Sequence, residues 1–102
     1  MTQEEFIQKY NLKEITEPIK NSDGKYIEKL VGYEITLHSL GYDLHITIIL
    51  FENTSDVYRL NLKNKCTTNQ YYVGKEVFAM HTTELSLMEK ITYDMINNYI
   101  KI

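Results

Sequence analysis

The chain has 102 residues, a net charge of −3 with its histidines neutral, 43% hydrophobic and 25% charged residues, and a single cysteine. That is enough for one domain over residues 1–102 and too few for two, and a core of this size needs no disulfide or metal to fold. The balance excludes disorder, nucleic acid as the main partner, because the longest basic stretch is Lys63-Asn64-Lys65, and a membrane span, because the longest apolar run is Ile48–Phe51.

At the N-terminus, Thr2-Gln3-Glu4-Glu5 reads as a capping box, in which Thr2 accepts from a first-turn N–H and Glu5 reaches back. Phe6, Ile7 and Tyr10 then share one side of a short helix, and Asn11 is its stop. This segment is acidic and amphipathic and carries no signal-type apolar region. With Cys66 as the lone thiol, a reducing, cytoplasmic location is expected.

Asn21-Ser22-Asp23-Gly24 is a turn signal. Pairing Asn21 with Lys25 sets Ile19 opposite Ile27, Glu17 opposite Lys29 and Ile15 opposite Val31. Pro18 has no N–H for a ladder, so this first strand belongs at a sheet edge.

Residues 31–51, VGYEITLHSLGYDLHITIILF, alternate apolar and polar side chains with few breaks. A hairpin with Leu40-Gly41 at its tip pairs Leu37 with Leu44, Ile35 with Ile46, Tyr33 with Ile48 and Val31 with Leu50. A slip of one residue would destroy all of these pairs, so the pattern fixes the register. The other face then pairs His38 with Asp43, Thr36 with His45, Glu34 with Thr47, Gly32 with Ile49 and Leu30 with Phe51.

Asn53-Thr54-Ser55 makes the next turn. Tyr58, Leu60 and Leu62 continue the core face along a fourth strand, while Arg59, Asn61 and Lys63 face water. After a polar loop, YYVGKEVFAM reads as a fifth strand with Gly74 as a bulge. Thr82 or Thr83 caps a last helix whose stripe is Leu85, Met88, Ile91, Met95, Ile96, Tyr99 and Ile102. That helix is expected to pack on the Val31/Tyr33/Ile35/Leu37 side of the sheet. The fold class that follows is α+β: an antiparallel meander of about five strands with a short N-terminal helix and a long amphipathic C-terminal helix on one sheet face.

Chemistry-bearing residues are few. His38, Asp43 and His45 stand close enough across the hairpin to suit zinc or iron, or to form an ordinary cross-strand hydrogen bond on a wet face. The second reading is preferred, so no metal and no cofactor is expected. Cys66 sits in a polar loop with nothing to depress its pKa. His81 reads as a surface residue before the last helix. No phosphate-cradling glycine motif, nucleophile elbow or paired CxxC occurs, and no catalytic activity is expected.

The nine tyrosines, with no tryptophan, have two readings. They are good strand residues, and when exposed they give stiff, amphipathic contact area. Tyr33, Tyr58 and Tyr99 have core positions, whereas Tyr26, Tyr71, Tyr72 and Tyr93 are not all needed there. Leu30, Ile49 and Phe51, with Tyr26 nearby, form an apolar cluster on the second sheet face, and the N-terminal helix is expected to cover it through Phe6 and Tyr10.

Two function classes follow. The preferred one is a small acidic protein-binding module acting sterically, of the general character of inhibitors, immunity proteins and phage or mobile-element anti-defence proteins. Its contacts would be Tyr71, Tyr72, Tyr26, Leu30 and Phe51, and its partner a basic, nucleic-acid-handling protein reached by charge steering. The alternative is a small-ligand binder or small enzyme, with its site on the His38/Asp43/His45 face or at the interface of a homodimer.

Overall fold

A computed structural model describes residues 1–64 and 75–100. The elements in chain order are α1 (Gln3–Lys9), β1 (Lys13–Lys20), β2 (Tyr26–Ser39), β3 (Tyr42–Ile49), β4 (Val57–Asn64), β5 (Glu76–Thr82) and α2 (Leu85–Asn98). The strands form one antiparallel sheet in the order β1-β2-β3-β4-β5, with both helices packed on it, so the class is α+β.

Local chemistry sets the ends of the elements. Thr2 and Glu5 form the capping box of α1, with Glu5 N donating to Thr2 Oγ1 at 3.2 Å and Thr2 N to Glu5 Oε1 at 3.3 Å. Asn11 ends that helix in the left-handed region, at φ 55°. In the first hairpin turn Asn21 Oδ1 accepts from the N–H groups of Asp23 and Lys25, both at 3.0 Å, and Gly24 supplies φ +79°.

The β2–β3 register is the expected one at every pair from Gly32↔Ile49 to His38↔Asp43. The same side of β4 presents Tyr58, Leu60 and Leu62. The core is one cluster built on Leu44, Ile46, Ile48, Tyr58, Leu60 and Leu62 from the sheet, Phe6, Tyr10 and Leu12 from the N-terminal segment, and Met88, Met95 and Ile100. Each fully buried aliphatic side chain contributes roughly 1.5–3 kcal/mol, and burial is densest on β3 and β4. Tyr33, Ile35 and Leu37 of β2 are half-buried, because α2 crosses β4 and β5.

Several expectations are corrected. First, β1 and β2 pair as expected from Ile19↔Ile27 to Glu17↔Lys29, but Ile15 pairs with Gly32 and Thr16 with Leu30. Val31 is the extra residue of a bulge, which shifts the alternation of β2 and turns Leu30 toward Thr16. Leu30 therefore does not pair with Phe51, although Leu50 N still donates to Val31 O at 3.0 Å.

Second, α1 does not cover the other sheet face. Phe6 and Tyr10 join the helix-side core, and Lys9 and Tyr10 both reach Glu89 of α2. Gln3 Nε2 donates to Asp56 Oδ2 at 2.7 Å and to Tyr58 Oη at 3.1 Å. The apolar side of α1 is satisfied by the core that α2 builds, and among the described residues no helix covers the other sheet face, here called the bare face.

Third, α2 has Glu84 as N-cap with no side-chain cap. Thr82 Oγ1 instead accepts from Glu84 N at 3.0 Å. Tyr99, expected in the core stripe, lies past the helix end and is 45% exposed, edge-on to Tyr42. Thr92 takes a fully buried place in the stripe that its polarity concealed, with its hydroxyl unpartnered among the described residues. Finally, β5 starts at Glu76, and its irregularity falls opposite Leu62/Lys63. Gly74, Cys66, Tyr71, Tyr72 and Ile102 lie outside the described residues.

Candidate functional site

β2 has 14 residues and β3 has 8. The β2–β3 ladder ends at Gly32↔Ile49, while β1–β2 pairing runs on to Lys20↔Tyr26. Residues 16–30 therefore form a two-stranded arm that outruns the sheet. The molecule measures 50 × 35 × 20 Å, with a Cα radius of gyration of 15.8 Å, against about 13 Å for a compact domain of this length.

The arm carries apolar side chains in water. Ile19 is 37% exposed, Ile27 48% and Tyr26 74%. Ile15, Glu17 and Ile19 alternate onto one side of β1. Ile15 pairs with Gly32, on the side opposite Tyr33 and the core, so Ile19 and its partner Ile27 face the helix-free side. Tyr26, beside Lys20, takes the other side. Alternate residues of Tyr26–Leu30 turn their N–H and C=O away from β1, and among the described residues no strand pairs with them there. The outer edge of β1, by contrast, is blunted by Pro18 and by Glu14, Glu17 and Lys20.

At the root of the arm, Lys29, Leu30, Val31, Leu50, Phe51 and Glu52 line a cleft of about 490 Å³. Phe51 is 48% exposed. Lys29 Nζ pairs with Glu52 across the mouth, and that ammonium holds the Glu52 carboxyl below the usual carboxylate range. Phe51 N donates to Asp56 Oδ1 at 3.3 Å, which fixes the turn behind the ring. Of the expected contact residues, Leu30 and Phe51 thus meet in one cleft. Tyr26 stands away at the arm's far end, Ile49 lies on the bare sheet face, and Tyr71 and Tyr72 are not described.

The histidine trio is brought to one face but not to one point. His38 Nδ1 and Asp43 Oδ1 are hydrogen-bonded at 2.8 Å. His45 Nε2 lies instead 3.3 Å from Thr47 Oγ1 and 3.6 Å from Glu34 Oε2. Each imidazole has its own carboxylate, and among the described residues no three His, Cys, Asp or Glu side chains gather as a metal-binding set. No helix among those residues is long and apolar enough to cross a membrane.

Sequence reasoning missed the arm. Its signal was the length of β2: the first hairpin and the second share that strand, yet the segment after Phe51 turns away at Asn53, where φ is 63°. Compared with known protein families, curated proteins and solved structures, the chain has no match.

Proposed function

We propose that this chain is a small acidic protein-binding module that acts by occupying another protein's surface. One observation carries the reading: the arm of residues 16–30 holds Ile19, Tyr26 and Ile27 in solvent beside an open strand edge. A lone two-stranded ribbon is marginally stable in water, and its exposed apolar side chains add nothing to the core. An extended partner segment laid along Tyr26–Leu30 would continue the sheet where β3 leaves it, with main-chain hydrogen bonds for affinity and the Leu30/Phe51 cleft for side-chain selection. The net charge of −3 steers such a module toward a basic partner, and steering of this kind weakens with salt. Inhibitors and immunity or anti-defence proteins work in this way, by steric occupation.

The test is capture of a partner from lysate by wild type and by Tyr26→Ala/Ile27→Ala, with melting temperature measured in parallel. Loss of capture at unchanged melting temperature supports the arm as the contact. Equal capture removes it, and a Tyr71→Ala/Tyr72→Ala variant then examines the other proposed contact.

A further inference from the structure

All three histidines of the chain stand on the bare sheet face, and so does its only arginine. Arg59 occupies the middle of β4, with Thr47 of β3 and His81 of β5 as its direct cross-strand partners. One position along, Asn61 lies between His45 and Ala79. His45, Thr47, Arg59, Asn61, Ala79 and His81 line one hollow of about 200 Å³. Ala79 opens it, because any larger side chain there would fill the gap between Asn61 and His81.

Donors predominate on the wall. Arg59 makes no ion pair or side-chain hydrogen bond among the described residues. It offers a planar fork of donors. His45 and His81 flank it with imidazole nitrogens, and Thr47 adds a hydroxyl whose oxygen lies 3.3 Å from His45 Nε2. Asn61 gives one N–H of its Nδ2 to Glu76, and its Oδ1 is a buried acceptor with no partner among the described residues. Two carboxylates stand at the rim: that Glu76, and Glu34, whose Oε2 is 3.6 Å from His45 Nε2.

From this arrangement we infer that the Arg59/His45/His81 hollow is a binding site for the phosphate group of a small ligand. A phosphate presents oxygens enough for the arginine fork, both imidazoles and the Thr47 hydroxyl together, and charge-assisted bonds of this type are roughly twice as strong as neutral ones. A carboxylate would leave part of that donor set unused. The site is independent of the arm and of the protein-binding reading, and it is centred away from the His38–Asp43 pair. His38, two residue pairs from Arg59 on the same face, is a built-in control.

The experiment is a titration of the intact protein with inorganic phosphate at constant pH and ionic strength, following the imidazole resonances by NMR. The His45 and His81 signals are expected to shift saturably while His38 stays. Arg59→Gln, a substitution at an exposed position that leaves the fold intact, is expected to weaken binding about tenfold or more. Glu34→Gln removes the competing carboxylate and is expected to tighten it. Acetate is expected to produce no saturable shift. The inference is overturned if all three histidines drift together without saturation, or if Arg59→Gln binds as wild type does. Saturation by acetate at the same concentration would overturn the assignment to phosphate.

Discussion

Gly32→Ala tests the junction from which the arm springs. Gly32 sits in the middle of β2, paired with Ile15 on one side and Ile49 on the other, next to the bulged Val31. Its backbone needs no unusual dihedral; it needs space. A Cβ at this position would lie 2.2 Å from Ile48 O and 3.3 Å from Ile48 C. Real Cβ atoms essentially never come within 3.0 Å of such an atom, so the β2–β3 ladder must open by about 0.8 Å at a buried point. The obstructing atom is a backbone carbonyl flanked by the fully buried side chain of Ile48, so no rotamer change can relieve it. Overpacking of this kind costs about 1–3 kcal/mol, and a rigid backbone neighbour places the variant near the top of that range. At about 4–8 °C per kcal/mol for a domain of this size, the melting temperature should fall by roughly 10–20 °C. Gly41→Ala is the contrast: nothing lies within 4 Å of its Cβ, but φ is +88°, so the cost is the left-handed penalty alone, about 1–2 kcal/mol. Circular dichroism melts and urea titrations of both variants read the difference. A Gly32→Ala protein within about 0.5 kcal/mol of wild type, the range of ordinary surface substitutions, would refute the close approach and the strand geometry built on it.

Other predictions concern the core and the helix pair. Ile46→Asp should unfold the protein, because it buries an unpaired charge at a cost of several kcal/mol, while Thr36→Asp, exposed on the bare face, should melt near wild type. Met88→Ala should cost about 2–5 kcal/mol by leaving a cavity at a fully buried site, measurable as a shift in urea midpoint at constant slope. Glu89 accepts from Lys9 Nζ at 2.8 Å and from Tyr10 Oη at 3.1 Å. The Lys9 hydrogen bond, and then that of Tyr10, hold its carboxyl below the usual value. The contribution is therefore present above the ordinary carboxylate pKa and lost as pH falls through the lowered one. Glu89→Gln should melt below wild type at pH 7, and the two curves should converge in acid; a gap that persists at low pH would mean that the ion pair is not its source.

The sheet was legible where side-chain alternation decides it. Every pair from Gly32↔Ile49 to His38↔Asp43 follows from parity, because a slip would carry Leu44, Ile46 and Ile48 out of the core. The Val31 bulge was not legible, since Ile15–Val31 is an apolar pair as plausible by pattern as the true one. Gly32 inside a strand was its only signal. The face chosen by α1 was also hidden: Phe6 and Tyr10 need an apolar surface, and both faces of residues 30–51 offer one. The Lys9/Tyr10/Glu89 contact that decides between them joins residues about 80 positions apart. For the candidate sites, the sequence placed His45, Arg59 and His81 on solvated positions but could not show that β3, β4 and β5 bring them side by side.

Amide hydrogen exchange of the protein alone and bound to its captured partner tests the protein-binding account most directly. The account predicts that the amides of Tyr26–Leu30 exchange rapidly on their outward-facing side in the free protein and are slowed in the complex, together with those of Leu50 and Phe51 around the cleft. Protection confined to α2 or to the bare sheet face, with the arm exchanging as it does in the free protein, would contradict it.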